Sequence, residues 1–239
     1  MAGGYYAALS GMRTRLEMLD RLASDIANSG TAGYKSERAA TLEATRRQFG
    51  AELQSAIDVV GGRAELDLRP GVQAPTGRNL DVAVDGNGFF EIETASGPRY
   101  TRNGRFSRRA DGVLATADGE AVMGASGPIT LGTGAVEVDA DGTVRHAGAA
   151  AGTLKIVEFD KGTALTRETA LRVRNDGAAP TVVERPSVRA GALEQSNVSI
   201  IDRLAELTTA SRSFEALQRA LSVLMNDVDS RAITELGRK

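Results

Sequence analysis

The chain of 239 residues has no cysteine, no tryptophan and a single histidine, and only 4% of its residues are aromatic. Without cysteine it has no disulfide, no thiolate nucleophile and no thiolate ligand for zinc. One histidine, His146, leaves histidine-dependent catalysis and multi-histidine metal sites without their usual residues. The composition speaks against an enzyme, so we expect no catalytic residue, no metal site and no cofactor.

An excess of charge of one sign and long apolar runs are also missing. Lys and Arg number 29 against 31 Asp and Glu, and the formal net charge is -2. Such a balance does not favour nucleic acid or an anionic membrane. No run of about 18 apolar residues occurs, and the first residues lack the pattern of a secretory signal. We expect no nucleic-acid partner, no small-molecule substrate, no membrane insertion and no cleaved signal peptide.

Apolar residues recur near the N-terminus at alternating spacings of four and three. They are Tyr5, Leu9, Met12, Leu16, Leu19, Ala23 and Ile26. This spacing is typical of the seam of a coiled coil. Asn28-Ser29-Gly30 supplies a stop, because glycine tolerates the left-handed conformation that ends many helices. The pattern predicts an N-terminal helix with one apolar face.

The C-terminal region has the same spacing over a longer stretch. Its members are Ile200, Leu204, Leu207, Ser211, Phe214, Gln218, Leu221, Met225, Val228 and Ala232. Ser211 and Gln218 are polar exceptions, which either set the register through hydrogen bonds or lie at the edge of the seam. No proline or glycine interrupts residues 198–236. We predict one helix of roughly 50–60 Å.

Each stripe taken alone is also compatible with the buried face of an ordinary globular helix. Two stripes at opposite ends of one chain instead favour pairing with each other, with other subunits, or both. We therefore predict an assembly interface. Its residues are Leu9, Met12, Leu16, Leu19, Ile26, Leu204, Leu207, Phe214, Leu221, Met225 and Val228.

The middle of the chain has a different pattern. Asp-Gly pairs occur at residues 85–86, 111–112, 118–119, 141–142 and 176–177, each between short apolar stretches. Asp-Gly signals a tight hairpin turn, because the turn needs positive φ. Short strands are predicted at Leu80–Val84, Phe89–Ile92, Ala135–Val138, Leu154–Phe159 and Ala170–Val173. Many short strands with frequent turns predict an antiparallel β domain, a sandwich or a barrel.

The sequence thus predicts an α+β fold, in which N- and C-terminal helices form a coiled-coil domain beside a central antiparallel β domain. The helical domain comprises residues 1–34 and 191–239, and the β domain comprises residues 75–190. Residues 35–74 are a linker whose structure the sequence does not decide, partly helical in pattern and broken by Gly61-Gly62 and Pro70-Gly71.

Two patterns resemble ligand-binding loops and fail on inspection. Gly86-Asn87-Gly88 begins like a dinucleotide loop, but Glu91 replaces the third glycine and no helix follows. The stretch from Glu137 begins like a calcium loop, but its twelfth position is Gly148 rather than glutamate. We predict turns at both places, and a surface position for His146.

Five arginines crowd the segment from Arg99 to Arg109, together with Tyr100 and Phe106. Basic residues with aromatics are able to bind single-stranded nucleic acid. Because the chain has only four lysines, arginine is its general-purpose cation. A solvated hairpin face, or salt bridges to a neighbouring subunit, is the favoured interpretation.

Three stretches resemble motifs of the bacterial flagellar rod and hook proteins, in the order that this family has them. SDIANSGTAGYK (residues 24–35) is similar to the N-terminal motif, with mild departures at Asp25, Ile26 and Tyr34. Residues 80–124 resemble the central motif, and GALEQSNVSIIDRLAELTTASRSFEA (residues 191–216) resembles the C-terminal motif. Within the family, the short length and residues 127–160 look most like the proximal rod proteins designated F, with the distal rod proteins designated G second.

The resemblance implies a structural subunit of the flagellar basal-body rod that polymerises helically through its terminal helices and transmits torque from motor to hook. It implies as partners the chain itself, other rod proteins and the flagellar type III export apparatus. It also implies a periplasmic place in the basal body, reached without a cleaved signal peptide, with no catalysis and no cofactor. The alternatives are a distal rod or hook-type protein of the same family and, in other classes, a ligand-binding β module or an enzyme.

Overall fold

The computed structural model describes residues 2–39 and 64–236 of the chain. Within these ranges one helix lies near each end, α1 (Ala2–Ala27) and α2 (Ile200–Leu236). The described residues between them form strands, turns and loops. Neither described helix is long and apolar enough to cross a membrane.

The strands are short, most of them two to five residues long. They are β1 (Glu37–Ala39), β2 (Ala64–Leu66), β3 (Gln73–Pro75), β4 (Val82–Val84), β5 (Phe89–Thr94), β6 (Gly97–Thr101), β7 (Ser107–Arg108), β8 (Leu114–Ala115), β9 (Ala121–Gly124), β10 (Gly127–Pro128), β11 (Val136–Val138), β12 (Thr143–His146), β13 (Ala149–Thr153), β14 (Ile156–Glu158), β15 (Leu165–Arg167), β16 (Val173–Asn175), β17 (Thr181–Val182), β18 (Val188–Ala190) and β19 (Ala192–Glu194).

The chain divides into two units. The helical unit contains α1 and α2, and the β unit contains Asn28–Arg38 and Glu65–Val198. The predicted linker therefore lies partly in the β unit, since residues 35–38 and 65–74 belong to it. Residues 40–63, where the sequence pattern leans helical, lie outside the described residues.

The β unit is built around a ten-stranded sheet. Its main path runs β15-β16-β6-β5-β9-β8-β7, with β10, β14 and β17 attached to it. Beside it lie a three-stranded sheet, β11-β12-β13, and the two-stranded sheets β18-β4 and β19-β3. Every pairing with a given register in these sheets is antiparallel, as the frequent turns predict.

Four of the five Asp-Gly pairs turn the chain as predicted. Gly86, Gly112, Gly119 and Gly142 have φ angles of 88°, 86°, 85° and 79°. At two of these turns the aspartate also accepts a backbone hydrogen bond two residues on, from Val113 N to Asp111 and from Thr143 N to Asp141. That bond favours the turn before any tertiary contact forms. The stretch from Glu137, which begins like a calcium loop, therefore forms the hairpin between β11 and β12.

The core of the β unit is apolar and lies on both sides of β5. Phe90 and Ile92 belong to a large buried cluster, whereas Phe89 joins Tyr100 and Val157 in a smaller one. This division follows from the pleat, since successive strand side chains point to opposite faces. In the larger cluster Phe90 meets Phe106 edge to face with ring centroids 5.0 Å apart.

The predicted fold class is wrong in its helical part. The described chain is mainly β, and the long coiled-coil pair expected of an α+β fold with a coiled-coil domain is not shown. The predicted seam residues Leu16 and Leu204 are each 47% exposed. The buried apolar side chains described in the two helices are Leu22 and Ala210, and neither belongs to a predicted seam.

The helices nevertheless meet within the helical unit. Arg203 Nε of α2 lies 3.1 Å from Asp25 Oδ2 of α1, and the Asp25 side chain is only 2% exposed. Heptad spacing identifies residues that share a helix face, but it does not decide which face a partner helix covers. In this chain the buried residues Leu22 and Ala210 lie beside the predicted apolar stripe rather than on it. Leu16 and Leu204 of the stripe therefore remain exposed.

Candidate functional site

None of the predicted interface residues whose side chains the structure describes is fully buried within one chain. The side chains of Leu9, Met225 and Val228 lie outside the described set. Leu16 and Leu204 are exposed, and the others are partly buried: Met12, Leu19, Ile26, Leu207, Phe214 and Leu221. The interface itself stays a prediction, since no second subunit is present.

Helix α2 also exposes apolar side chains that were not included in the predicted interface. Ile201 is 81% exposed and Val223 is 66% exposed. Ile200, at the first turn, is 48% exposed. Single exposed apolar residues are ordinary, but several on one helix mark an interaction surface.

A second notable region is the segment Asn28–Arg38, which we call the strap and which follows directly after α1. It docks on the end of β19: the Gly33 amide donates to the Glu194 carbonyl at 2.8 Å. Gly33 has a φ of +77°, and a Cβ there would come within 2.3 Å of the Asn103 backbone nitrogen. Only glycine fits this close approach in this conformation.

Glu194 is the centre of a buried charge cluster. Its Oε1 accepts from Lys35 Nζ and, at 2.8 Å, from the Gly71 amide. Its Oε2 accepts from Arg102 Nη1 at 3.1 Å. The side chains of Lys35, Arg102 and Glu194 are 3%, 0% and 1% exposed. Three ionisable groups from distant parts of the chain thus share one dry site.

Burial dominates the electrostatics of this cluster. Burial lowers the pKa of Lys35, and the attraction of Glu194 opposes that shift without cancelling it. Burial likewise lowers the pKa of Arg102, against the attraction of Glu194 and Glu158. Arg102 also lies over the Phe89 ring, 4.9 Å from its centroid, and donates to the Gly86 carbonyl. These contacts replace part of the hydration that the guanidinium loses.

Asn197 fixes the strap from the other side. Its Oδ1 accepts from the Ser36 amide at 2.7 Å, while its Nδ2 donates to the Asp67 carbonyl at 2.8 Å. Asp67 in turn is held by Arg38 and Arg69, whose hydrogen bonds outweigh the effect of burial and bring its pKa to about 2. Asn197 therefore bridges two backbone segments.

Arg167 of β15 covers the middle of the strap. Its guanidinium carbon lies 4.4 Å from the centroid of the Tyr34 ring. Its Nε donates to Glu37 Oε1 at 2.7 Å, and its Nη2 donates to the Lys35 carbonyl. Tyr34 is 1% exposed beneath it. The strap is thus fixed at three places along its length.

The arginine-rich segment is not one solvated face, contrary to that part of the prediction. Arg99 and Arg102 are 8% and 2% exposed, and Arg99 Nε lies 2.8 Å from Glu168. Arg109 is paired with Asp111 on the surface. The first two arginines therefore serve internal ion pairs, which leaves them unavailable to nucleic acid.

His146 is also less exposed than predicted. Its ring lies against Gly132 and Gly134, and its Nε2 is buried without a hydrogen-bond partner. Among the described residues, no group of three or more His, Asp and Glu side chains is placed to hold a metal ion.

Sequence reasoning missed Lys35, Arg102, Asn197, Arg167 and Glu194 as members of one site. For two of them, Glu194 and Lys35, the sequence did contain a sign of an internal ion pair. Glu194 follows an apolar pair, Ala192-Leu193, inside the C-terminal motif, and Lys35 is one of only four lysines in the chain. A charged residue beside buried strand positions is typical of an internal ion pair.

Comparison with known proteins gives two family matches and a set of full-length relatives. Residues 83–146 match the flagellar hook protein FlgE/F/G D1 domain, and residues 189–230 match the C-terminal region of the flagellar basal body rod FlgEFG proteins.

Three relatives each match at least 93% of this chain. The flagellar basal-body rod protein FlgF of Rhizobium meliloti (strain 1021) is 33% identical over 99% of this chain and 99% of its own length. FlgF of Caulobacter vibrioides is 28% identical over 100% of this chain and 99% of its own length. The flagellar basal-body rod protein FlgG of Bacillus subtilis (strain 168) is 30% identical over 93% and 95%. The chain therefore belongs to the flagellar basal-body rod protein family, in which it is most like FlgF, with FlgG next.

Proposed function

We propose that the chain is a structural subunit of the flagellar basal-body rod, which joins a helical assembly through its terminal helices and transmits torque from motor to hook. The observation that carries this proposal is the full-length similarity to FlgF, which spans both termini and the β unit. The proposal includes other basal-body proteins as partners and export by the flagellar type III apparatus without a cleaved signal.

The exposed apolar side chains of the helices support assembly through them. Leu16, Leu204 and Ile201 are uncovered in one chain, and burying each such side chain against a neighbour contributes on the order of 1.5–3 kcal/mol. Contacts between different faces of successive subunits build an open helix when the rotation does not close a ring. A stiff shaft is then a consequence of many repeated helix contacts.

The β unit has the character of a stable body carried by those helices. Its core is apolar and its strands are antiparallel, so it needs no partner to bury its apolar side chains. We propose that it folds by itself and that assembly depends on the helical unit.

An in-frame deletion tests the proposed role in the cell. We expect a non-motile strain, with rods that end near the cell membrane in electron micrographs of purified basal bodies. Normal swimming with intact basal bodies, in a strain without a second gene of the same type, would contradict the proposal.

Two point substitutions test the proposed interface. Leu16→Asp and Leu204→Asp are each expected to stop incorporation into basal bodies, because a carboxylate would be buried between subunits. The thermal unfolding transition of the β unit is expected to stay unchanged. Val182→Asp is the matched control, since Val182 is 51% exposed in the β unit and is expected to assemble normally.

A distal rod position is the second candidate, because the similarity to FlgG of Bacillus subtilis also covers 93% of the chain. The deletion distinguishes the two positions. Rods complete up to the hook junction would favour the distal position, and shorter rods would favour the proximal one.

A further inference from the structure

We propose that Asn87 is a site of spontaneous deamidation, at which its side-chain amide is lost and the Asn87–Gly88 peptide is converted to an isoaspartyl linkage. This chemistry goes beyond the proposed function. It depends on the loop between β4 and β5 alone, so it holds or fails independently of the flagellar role.

The reaction consumes only the chain and water. The backbone nitrogen of Gly88 loses its proton and attacks Cγ of Asn87, the side-chain nitrogen leaves as ammonia, and a succinimide ring remains. Water then opens either carbonyl of this ring, which gives aspartate or isoaspartate. In isoaspartate the main chain runs through the former side-chain carbonyl. Neither an oxidant nor a metal nor another enzyme takes part in these steps.

Two Asn-Gly pairs occur in the sequence, Asn87-Gly88 and Asn103-Gly104. Glycine after asparagine favours ring closure, because it has no Cβ to block the approach of its nitrogen and its backbone is the most permissive of all residues. The sequence alone therefore makes the two pairs equal candidates for deamidation, and the surroundings of each pair decide between them.

Asn87 is free to react. It is exposed, in a segment that bends without forming a regular turn. Among the residues that the structure describes, neither its side chain nor the Gly88 amide has a hydrogen-bond partner. By contrast, the nearby Asp85 side chain is held by Gln73 and Ser187. Attack of the Gly88 nitrogen on Asn87 therefore breaks no hydrogen bond within the described chain.

The fold also requires the glycine that makes Asn87 reactive. Gly88 is buried, and a Cβ at this position would come within 2.4 Å of Ile156 Cγ2 and 3.4 Å of Val84 Cγ1. A larger residue at position 88 would have to displace both side chains of the apolar core. The packing of β4 and β14 thus maintains the residue that promotes deamidation.

Asn103 is held in an unreactive arrangement. Its Oδ1 accepts from the Arg105 amide at 3.1 Å, and its own amide donates to Thr101 Oγ1 at 3.0 Å. A Cβ on Gly104 would come within 1.7 Å of the Val82 carbonyl oxygen. The Val82 amide also donates to the Gly104 carbonyl at 3.0 Å. The Asn103–Gly104 peptide therefore has no room for an additional main-chain atom.

The product would alter the connection between β4 and β5. An isoaspartyl linkage adds a carbon atom to the main chain, and the new carboxyl group adds a negative charge. The change falls directly after Gly86, whose carbonyl accepts from the buried Arg102, and directly before the Phe89 ring that Arg102 covers. Chains of different age would thus differ beside the buried Glu194–Arg102 pair.

Ageing of the folded full-length chain in mildly alkaline buffer tests the proposal. Peptide mapping by mass spectrometry quantifies both Asn-Gly pairs in one digest, and an isoaspartyl methyltransferase assay identifies the product. We expect Asn87 to deamidate at least about tenfold faster than Asn103, because the segment around Asn103 must open locally before it reacts. The rate at Asn87 should rise with pH, since the attacking nitrogen must lose its proton.

The same chain in concentrated urea is the matched control, because unfolding exposes both pairs equally. There we expect the two rates to agree within about threefold. An Asn87 that stays intact in the folded chain while it reacts in urea would overturn the proposal, and so would equal rates at the two pairs in the folded chain.

Asn87→Gln supplies a second control. Glutamine has to close a larger ring, which forms far more slowly, so we expect N87Q to lose the isoaspartyl signal of the folded chain. An undiminished signal in N87Q would assign the reaction to another residue and contradict the proposal.

Discussion

Arg102 Nη1 lies 3.1 Å from Glu194 Oε2, with the two side chains 0% and 1% exposed. The pair joins the strand β6 region to the end of β19, two positions 92 residues apart in the sequence. A fully buried pair of this kind is weak evidence for stability by itself, but breaking it leaves an uncompensated charge. Glu194 has two cationic partners, Arg102 and Lys35. The loss of one of them should not have the same effect as the loss of the other.

Substitution at Glu194 should be far more costly than substitution at Lys35. Glu194→Leu strands the buried Arg102, and we expect the free energy of unfolding to fall by about 3–5 kcal/mol. Lys35→Met removes the excess cation while Glu194 keeps Arg102, so we expect a change within about 1 kcal/mol. Urea unfolding followed by far-ultraviolet circular dichroism measures both. Equal losses would show that Lys35, too, is an indispensable partner.

Acid should weaken the β unit through Asp67. Its pKa is held at about 2 in the folded chain, below the ordinary value of 3.8. A carboxyl group with a lowered pKa contributes its stability above the unfolded value and loses it as the pH falls toward the folded value. We expect a loss on the order of 2 kcal/mol between about pH 5 and pH 2.

Asp67→Asn is the variant that isolates this effect. Because the amide does not titrate, we expect a shallower fall of unfolding free energy over the same pH range, measured by urea titrations at several pH values. Asp111, whose pKa is also lowered by its pairing with Arg109, is half exposed, so solvent screens its interaction and Asp111→Asn is expected to change the slope less than Asp67→Asn does. An unchanged slope in D67N would assign the acid sensitivity to other groups.

The β12–β13 turn contains the one non-glycine residue with positive φ among the described residues, Ala147 at 48°. A Cβ in the left-handed region costs on the order of 1 kcal/mol, so Ala147→Gly should stabilise the β unit by about 0.5–1 kcal/mol. Gly148, with φ of 82° and open space around it, offers the reverse test, since Gly148→Ala should destabilise. Thermal melts compare the two, and a lower melting temperature for A147G would contradict the expectation.

The Asp25–Arg203 pair should matter more than an exposed pair in the same helix. Asp25 is 2% exposed beside Arg203, whereas Glu17 is 48% exposed beside Arg13. Asp25→Asn is expected to lower the stability of the helical unit by about 1–3 kcal/mol, and Glu17→Gln by less than about 0.5 kcal/mol. The helical signal at 222 nm against temperature measures both. Equal effects would mean that the α1–α2 contact does not depend on this pair.

The parts of the fold that local chemistry decides could be predicted from the sequence. The Asp-Gly turns at Gly112 and Gly142 need only positive φ and an aspartate side chain in reach of a nearby amide. The division of the β5 side chains between two apolar clusters, one on each face, follows in the same way from the pleat. Four of the five predicted short strands coincide with β4, β5, β11 and β14, whereas the predicted strand Ala170–Val173 overlaps β16 only at Val173.

The parts that depend on distant contacts could not be predicted. Glu194 meets Lys35 and Arg102 across 159 and 92 residues of sequence, and no spacing rule reaches that far. Leu16 and Leu204 fit a heptad pattern and yet are exposed, because the pattern does not say which face is covered within one chain. Which helix residues are buried, here Leu22 and Ala210, depends on how α1 and α2 pack against each other.

The burial of Tyr34 beneath Arg167 has a practical consequence. The chain contains four tyrosines and no tryptophan, so tyrosine emission is not lost by energy transfer to an indole. Tyr34 is 1% exposed beneath Arg167, so its ring enters water only when this part of the β unit unfolds. Its emission therefore reports unfolding at this place, and a Tyr34→Phe difference spectrum would isolate it without any attached dye.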